Sequence, residues 1–329
     1  MMLKGRPLDV LKTQGVYALV LALFAVGCLI SREFLTQENL LNTLGAVALL
    51  GIVAVGVSFV TYSQHYVDLS IPGIMALSGI SAVSALPYGF AASLTAGIAV
   101  GITIGLVNGL VIGYLRLNPI IWTLAMMSVL SGVIRKAYAG RQVYPDEATA
   151  AGRAFLNLYH TQVFGWLPLP IALLVITAAA GTVIMWKTGF GARLKLTGSS
   201  YEVARMTGVH VQRTIMAAFV ICSVSSSLAG ILLTSFNRVG AQYIGKGYDF
   251  DSITAVVIGG MMLSGGRGSV PGVMGGVVAI ALLNNIMSLV KIGEFTIGSF
   301  EKTIIQGAIF ILVVGINSYF QRRSGLNDA

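Results

Sequence analysis

Few side chains in this 329-residue chain can do chemistry, because only 12 are acidic and 3 are histidine. Two carboxylates, Asp68 and Asp251, open apolar runs. A charge deep in a bilayer costs roughly 2.5–3.5 kcal/mol on insertion scales and faces a protein interior or an aqueous cavity. Such carboxylates hold a cation, line a path or cap a helix. Capping is the first reading for both, and Ser70 fits an N-cap with Pro72 in the first turn, where its missing N–H does no harm. Passage of a hydroxylated cargo calls instead for neutral hydrogen-bonding groups and an occasional aromatic, since tight charge pairing would trap it. Asn42, Asn108, Asn118, Trp122, Asn284 and Asn285 are the candidates, joined by Asp68 and Ser70. Taken singly, each asparagine reads first as a link between helices or a helix end.

Other constellations carry less. His65 has no His, Cys or Glu at ligand spacing, so no metal is expected. Cys28 and Cys222 stand alone inside apolar runs and are expected as buried free thiols. Gly240-Ala-Gln-Tyr-Ile-Gly245-Lys246 has phosphate-loop spacing up to the lysine, but Gly247 follows where Ser or Thr is needed and no strand precedes it. The absence of paired catalytic carboxylates, a nucleophile elbow or a metal cluster argues against an enzyme, and no cofactor is expected.

The elements that must position these residues are membrane spans. The chain is 56% hydrophobic and 10% charged, with mean hydropathy +0.84. A soluble protein carries roughly 25% charge. The apolar residues come in runs long enough to span a bilayer as helix, which takes about 20 residues. The expected fold is all-α: a polytopic membrane protein forming one transmembrane domain over 1–329, with about ten crossings. These lie near 14–31, 41–62, 68–86, 91–115, 119–138, 168–186, 212–235, 251–264, 271–290 and 302–320. The third and eighth are short or interrupted. The basic residues before the first run suggest a signal peptide, but 28–32 offers no small-residue cleavage site, so an uncleaved anchor is expected.

An even count puts both termini on one side. Segments on that side hold 12 of the 21 Lys and Arg, which favours cytoplasmic termini. The net charge of +9 is spread over short connections without a continuous patch, so it reads as topology and not as nucleic-acid binding. Gly97-x3-Gly101-x3-Gly105 and Gly272-x2-Gly275-Gly276 have the spacing that lets helices approach closely in lipid. Val67-Asp68-Leu69-Ser70-Ile71 and Phe250-Asp251-Ser252-Ile253 echo each other at the third and eighth crossings, which run in opposite directions. Paired interrupted helices in inverted halves are a transporter device.

The basic connection 187–211 is the most informative loop, and 139–167 is the long connection on the other side. Ser199-Ser200-Tyr201-Glu202 reads as an S-x-x-E capping box and Gly208 as a helix stop, predicting a short surface helix over 200–207. By itself this is a solvated loop with one capped turn, or a docking peg.

Three stretches together resemble the permeases of ABC importers for ribose, galactose, xylose and related small sugars, a group that includes autoinducer and nucleoside carriers. They are Val67–Ser70; Tyr201-Glu202-Val203-Ala204-Arg205-Met206-Thr207-Gly208-Val209; and, most specifically, Asp251–Gly260 with Leu263-Ser264-Gly265-Gly266-Arg267-Gly268-Ser269, ending at Asn284-Asn285. The resemblance covers nearly the whole chain. It implies that Ser199, Ser200, Glu202, Ala204, Arg205 and Gly208 belong to a segment seated in a groove of a cytosolic ATPase subunit. The implied partners are two such ATPases, a second permease, identical or homologous, and a periplasmic sugar-binding protein. The implied location is the bacterial inner membrane. The chain departs from the family at Gly198-Ser199-Ser200, where Gly-Gly-Asn is usual, with Ser200 able to replace Asn as cap. It departs again at Ser63-Gln64-His65-Tyr66, where a glycine-rich stretch is common. The competing reading is a self-contained carrier driven by protons or sodium, with Asp68 and Asp251 as its only candidate carboxylates.

Overall fold

In hydrocarbon every backbone N–H and C=O must be satisfied within the protein, which leaves helix as the economical answer for each apolar run. The computed structural model describes residues 7–64, 67–292, 295–296, 298, 301–312 and 315. It is all-α: α1 Pro7–Ile30, α2 Gln37–Gln64, α3 Ile71–Ser84, α4 Phe90–Leu115, α5 Pro119–Tyr138, α6 Ala150–Asn157, α7 Leu169–Lys187, α8 Gly189–Ser199, α9 Tyr201–Met206, α10 Val211–Asn237, α11 Tyr248–Ile258, α12 Val270–Leu289 and α13 over 301–312. Among the described residues six helices are long and apolar enough to cross a membrane, namely α2, α4, α5, α7, α10 and α12. The remainder of the tenth expected crossing, and His65, lie outside the described residues.

Helix α2 is the axis of the molecule: 83% of its apolar window is buried, against 22% for α5. Around it pack α7, α10, α11 and α12. The ends can be assigned from contacts. Arg116, just past α4, reaches Tyr201 of α9, and the Tyr62 carbonyl near the end of α2 accepts from Gly266 N–H at 3.0 Å. One end of the bundle therefore carries α8, α9, the 259–269 turn and the starts of α5, α10 and α12.

Helices α3 and α11 are the two interrupted crossings. At 1.5 Å per residue, the 14 residues of α3 span about 21 Å and the 11 of α11 about 17 Å, short of a hydrocarbon core about 30 Å thick. Asn108 bonds Ser70 from a position eight residues before Arg116, so α3 begins about 12 Å inside the bundle. The approach to α11 runs back along α3, with Gly240 against Ile80 and Gly245 against Met75. The start of α11 thus lies beside the first turns of α3. The eighth crossing, expected at 251–264, ends earlier. Gly260 at φ +84° closes a Schellman stop, with Met261 N–H on Val256 O at 3.1 Å and Gly260 N–H on Val257 O at 3.0 Å. The turn 259–269 follows.

The glycine spacing runs two turns beyond the stretch the sequence singled out. Gly97, Gly101, Gly105, Gly109 and Gly113 all face α10, and a Cβ on them would meet Ile231, Ser227, Val220, Met216 and Gln212 in turn. The two helices run antiparallel with backbones in contact. The same device seats α11 on α12, where Gly276 abuts the Ala255 carbonyl. The connection 139–167 is also anchored: Ser235 Oγ donates to Phe155 O at 2.7 Å, and Val143 exchanges backbone bonds with Gly240 at 2.8 and 2.9 Å. Cys222 is buried as expected, whereas Cys28 is only half-buried, since α1 sits at the periphery.

The seam is testable. Gly101→Ile is expected to destabilise the fold by about 1–3 kcal/mol from overpacking alone, read as a lower folded yield and detergent melting temperature. Gly132→Ala, where a Cβ meets nothing within 4 Å, should leave both unchanged.

Candidate functional site

Four of the candidate path residues join into one buried network. Asp68 and Asn108 are fully buried. The backbone N–H of Ser70 donates to Asp68 Oδ1 at 2.9 Å and its hydroxyl to the same oxygen at 2.5 Å. Asn108 Nδ2 donates to Ser70 Oγ at 3.0 Å, and Asn108 Oδ1 accepts from Trp122 Nε1 at 2.9 Å. The break before α3 is therefore tied to α4 and α5 by side chains. Ser70 is the N-cap residue of α3, with Pro72 at its second position, but its hydroxyl serves the network and caps no N–H. Asp68 Oδ2 has no hydrogen-bond partner although buried.

The other candidates lie elsewhere. Asn284 Nδ2 donates to Asp251 Oδ2 at 3.1 Å, and Gln306 of α13 donates to both at 3.2–3.3 Å, which fastens the first turn of α11 to α12 and α13. Asp251 therefore sits inside its helix, unlike Asp68, which precedes one. Asn285 pairs reciprocally with Asn39 of α2, at 2.6 and 3.2 Å. Asn118 caps α5, accepting from Ile120 N at 3.0 Å. Asn42 is exposed on α2.

The expected surface helix over 200–207 is present as α9. Its cap is Ser200, which accepts from Val203 N–H at 3.3 Å. The Ser199–Glu202 box does not form, because α8 extends through Ser199, whose hydroxyl donates to Lys195 O at 2.9 Å. Gly208, at φ +80°, ends α9 as expected: Val209 N–H bonds Ala204 O at 3.0 Å and Gly208 N–H bonds Arg205 O at 3.1 Å, a Schellman stop. Ala204 faces inward, while Glu202 and Arg205 are exposed. So are two apolar side chains, Val203 at 51% and Met206 at 83%. The Arg116 guanidinium bonds the Tyr201 hydroxyl and stands 4.6 Å from its ring centre. Beside this pair opens a cleft of about 420 Å³ lined by Ile112, Gly113, Arg116, Asn118, Tyr201 and Ile215, among others.

Residues 39–314 match the family model described as the permease component of branched-chain amino acid transport systems. The chain belongs to this permease family. Its relatives include a ribose import permease of Bacillus subtilis (strain 168), 32% identical over 93% of this chain and 92% of that one. An L-arabinose transport system permease of Escherichia coli (strain K12) is 31% identical over 94% and 91%, and a xylose transport system permease of the same strain 28% over 88% and 87%. The permease is thus a multi-pass membrane protein of the ribose, xylose and arabinose ABC group. Its most specific sequence stretch, Leu263–Ser269, folds as the turn whose Gly266 fits against Gly198 of α8 and the Tyr62 carbonyl, with Ser269 capping α12. Sequence reasoning missed Asn39, Gln306 and the outward pair Val203 and Met206. Only the last was readable, from apolar residues three apart on a capped polar helix.

The Asn39–Asn285 pair should behave as one unit. Asn39→Leu and Asn285→Leu are each expected to destabilise the permease. A double-mutant cycle of detergent unfolding should return a coupling of about 0.6–1.7 kcal/mol, the range of interhelical hydrogen bonds in membranes.

Proposed function

We propose that this permease is the membrane-spanning subunit of an ATP-driven, binding-protein-dependent importer, and that it forms the pathway for a monosaccharide or related small sugar. The observation that carries the reading is the outer face of α9. The six-residue α9 is capped by Ser200, stopped at Gly208 and seated through the buried Ala204, yet turns Val203 and Met206 outward beside Glu202 and Arg205. Apolar side chains presented this way on a connection outside the spans suit a groove on another protein.

On this reading 187–211 is the cytoplasmic coupling segment, with Ser199, Ser200, Glu202, Ala204, Arg205 and Gly208 shaping it, and 139–167 faces the periplasm. The chain would sit in the bacterial inner membrane with cytoplasmic termini. Two permeases, identical or homologous, would stand over two cytosolic ATPases and beneath a periplasmic sugar-binding protein, and ATP would be hydrolysed only by the ATPases. The names of the relatives support ribose, xylose and arabinose as the first cargoes to try. Asp68, Ser70, Asn108 and Trp122 would border the path, with Asn42, Asn118, Asn284 and Asn285 further from it. The buried Asp68 Oδ2 favours a second reading, an ion-driven carrier.

Purification from the native host in mild detergent separates the two. An ATPase subunit is expected to accompany the wild-type permease. Val203→Glu with Met206→Glu should weaken that association at least about tenfold while leaving the permease folded. A permease that purifies alone, and whose uptake collapses with a proton uncoupler while ATP is plentiful, would establish the ion-driven carrier instead.

A further inference from the structure

Resting on the importer reading, we infer that Asn108 is a positioning residue: it links the α4–α5 elbow to the interrupted helix α3, so that displacement of α9 rocks α3 within the membrane. Three observations meet here. The first is the elbow. Arg116 is the C-cap of α4, in the left-handed region at φ 55°, and the chain turns through Leu117 and Asn118 into α5. Tyr201, the first residue of α9, holds that elbow through both the guanidinium hydrogen bond and the stacked cation. Asn118 caps α5, and the Trp122 N–H makes the first helical bond to Asn118 O at 3.0 Å. Trp122 therefore travels with the elbow, one turn away. The cleft of about 420 Å³ beside Tyr201 leaves room for that travel.

The second is the link itself. Asn108 spends both ends of its amide, accepting from Trp122 on one side and donating to Ser70 on the other. It is fully buried, so water does not substitute for either partner, and Ser70 passes the connection to Asp68. No member can move alone without leaving a buried polar group unpaired, which costs about 1–3 kcal/mol.

The third is a pivot. Eight residues along α3, about 12 Å away, Ser78 Oγ shares a hydrogen bond of 2.7 Å with Ser227 Oγ of α10. In the same region Gly79 abuts Thr234 and Gly230 abuts the Met75 carbonyl. Helix α3 is thus held against α10 at its middle and against α4 at its start. Between α4 and α10 the seam on the α4 side is glycine, which brings the two backbones into contact. A helix fixed at its middle and pulled at one end rotates. Asp68 Oδ2, buried and unpartnered at the moving end, is the acceptor left for the other arrangement.

The test uses the permease co-purified with its ATPase and needs no cargo. Cys28 and Cys222 are replaced by Ala, and Leu69→Cys places a thiol at the α3 break, beside Ser70. Its labelling by a small methanethiosulfonate is timed without nucleotide and with ATP plus vanadate. With the link intact, the rate is expected to change about fivefold or more between the two states, the lower range of allosteric coupling. Trp122→Phe, which keeps the ring but removes the donor, Ser70→Ala and Asn108→Leu should each abolish that ATP dependence, with subunit association retained. Trp122→Phe combined with Ser70→Ala should do no more than either alone, because the two meet only through Asn108. If Asn108→Leu fails to assemble, the two milder variants carry the test. A nucleotide-dependent rate that survives all three variants overturns the inference, as does a rate indifferent to nucleotide with the link intact. Recovery of wild-type permease without an ATPase instead overturns the importer reading on which it rests.

Discussion

A helix that stops inside a bilayer exposes backbone groups where no water can reach them. At the start of α3 that cost is met by Asp68, which takes the Ser70 N–H and is backed by Asn108 and Trp122. At the start of α11, where no side chain caps the helix, Asp251 instead bonds the side chains of Asn284 and Gln306. Each break recruits polar side chains from two neighbouring helices. The interruptions are consequently cross-linked to their neighbours by side-chain hydrogen bonds.

The two solutions are related without being identical. Asp68 precedes its helix and takes the Ser70 N–H, while Asp251 lies within the first turn of its own and is held from outside. Helices α3 and α11 begin near one another and proceed to opposite ends, as halves of an inverted pair would. The same economy appears in the stops: Gly208 and Gly260 close α9 and α11 with the same pair of backbone bonds. One stop fixes a surface helix; the other turns the chain back towards α12.

Most of the architecture could be read from sequence because hydrocarbon is an exacting solvent. Long apolar runs have no choice but helix, and the edges of the six long apolar helices lie within four residues of the expected crossings. The weak points were those where competition is local. Ser199 and Ser200 both offer a capping hydroxyl, and because α8 continues through Ser199, the cap of α9 falls to Ser200. The end of α11 was hidden because Met261, Met262 and Leu263 continue its apolar pattern, while the backbone obeys Gly259 and Gly260. For the candidate site, residue type was informative and partnership was not. Asn108 and Trp122 were named for the hydrogen bonds they can make, but that they make them to each other and to Ser70 is a fact of three helices meeting. Asn39 and Gln306 carried no signal beyond being polar in apolar surroundings.

The glycine face of α4 has an evolutionary consequence. Every other amino acid carries a Cβ, so no replacement at Gly101, Gly105 or Gly109 is conservative in the sense that Leu for Ile is conservative. Most core positions can drift through neighbours of similar volume, trading a methyl here for one across the interface. A seam where backbone meets backbone has no such neighbours, since its residue is already the smallest there is. Change can enter only from the α10 side, where Ser223, Ser227 and Val220 can still vary in size. One helix of the pair therefore tolerates almost no replacement at these positions while its partner keeps some latitude, and divergence among such permeases should be lopsided across this interface.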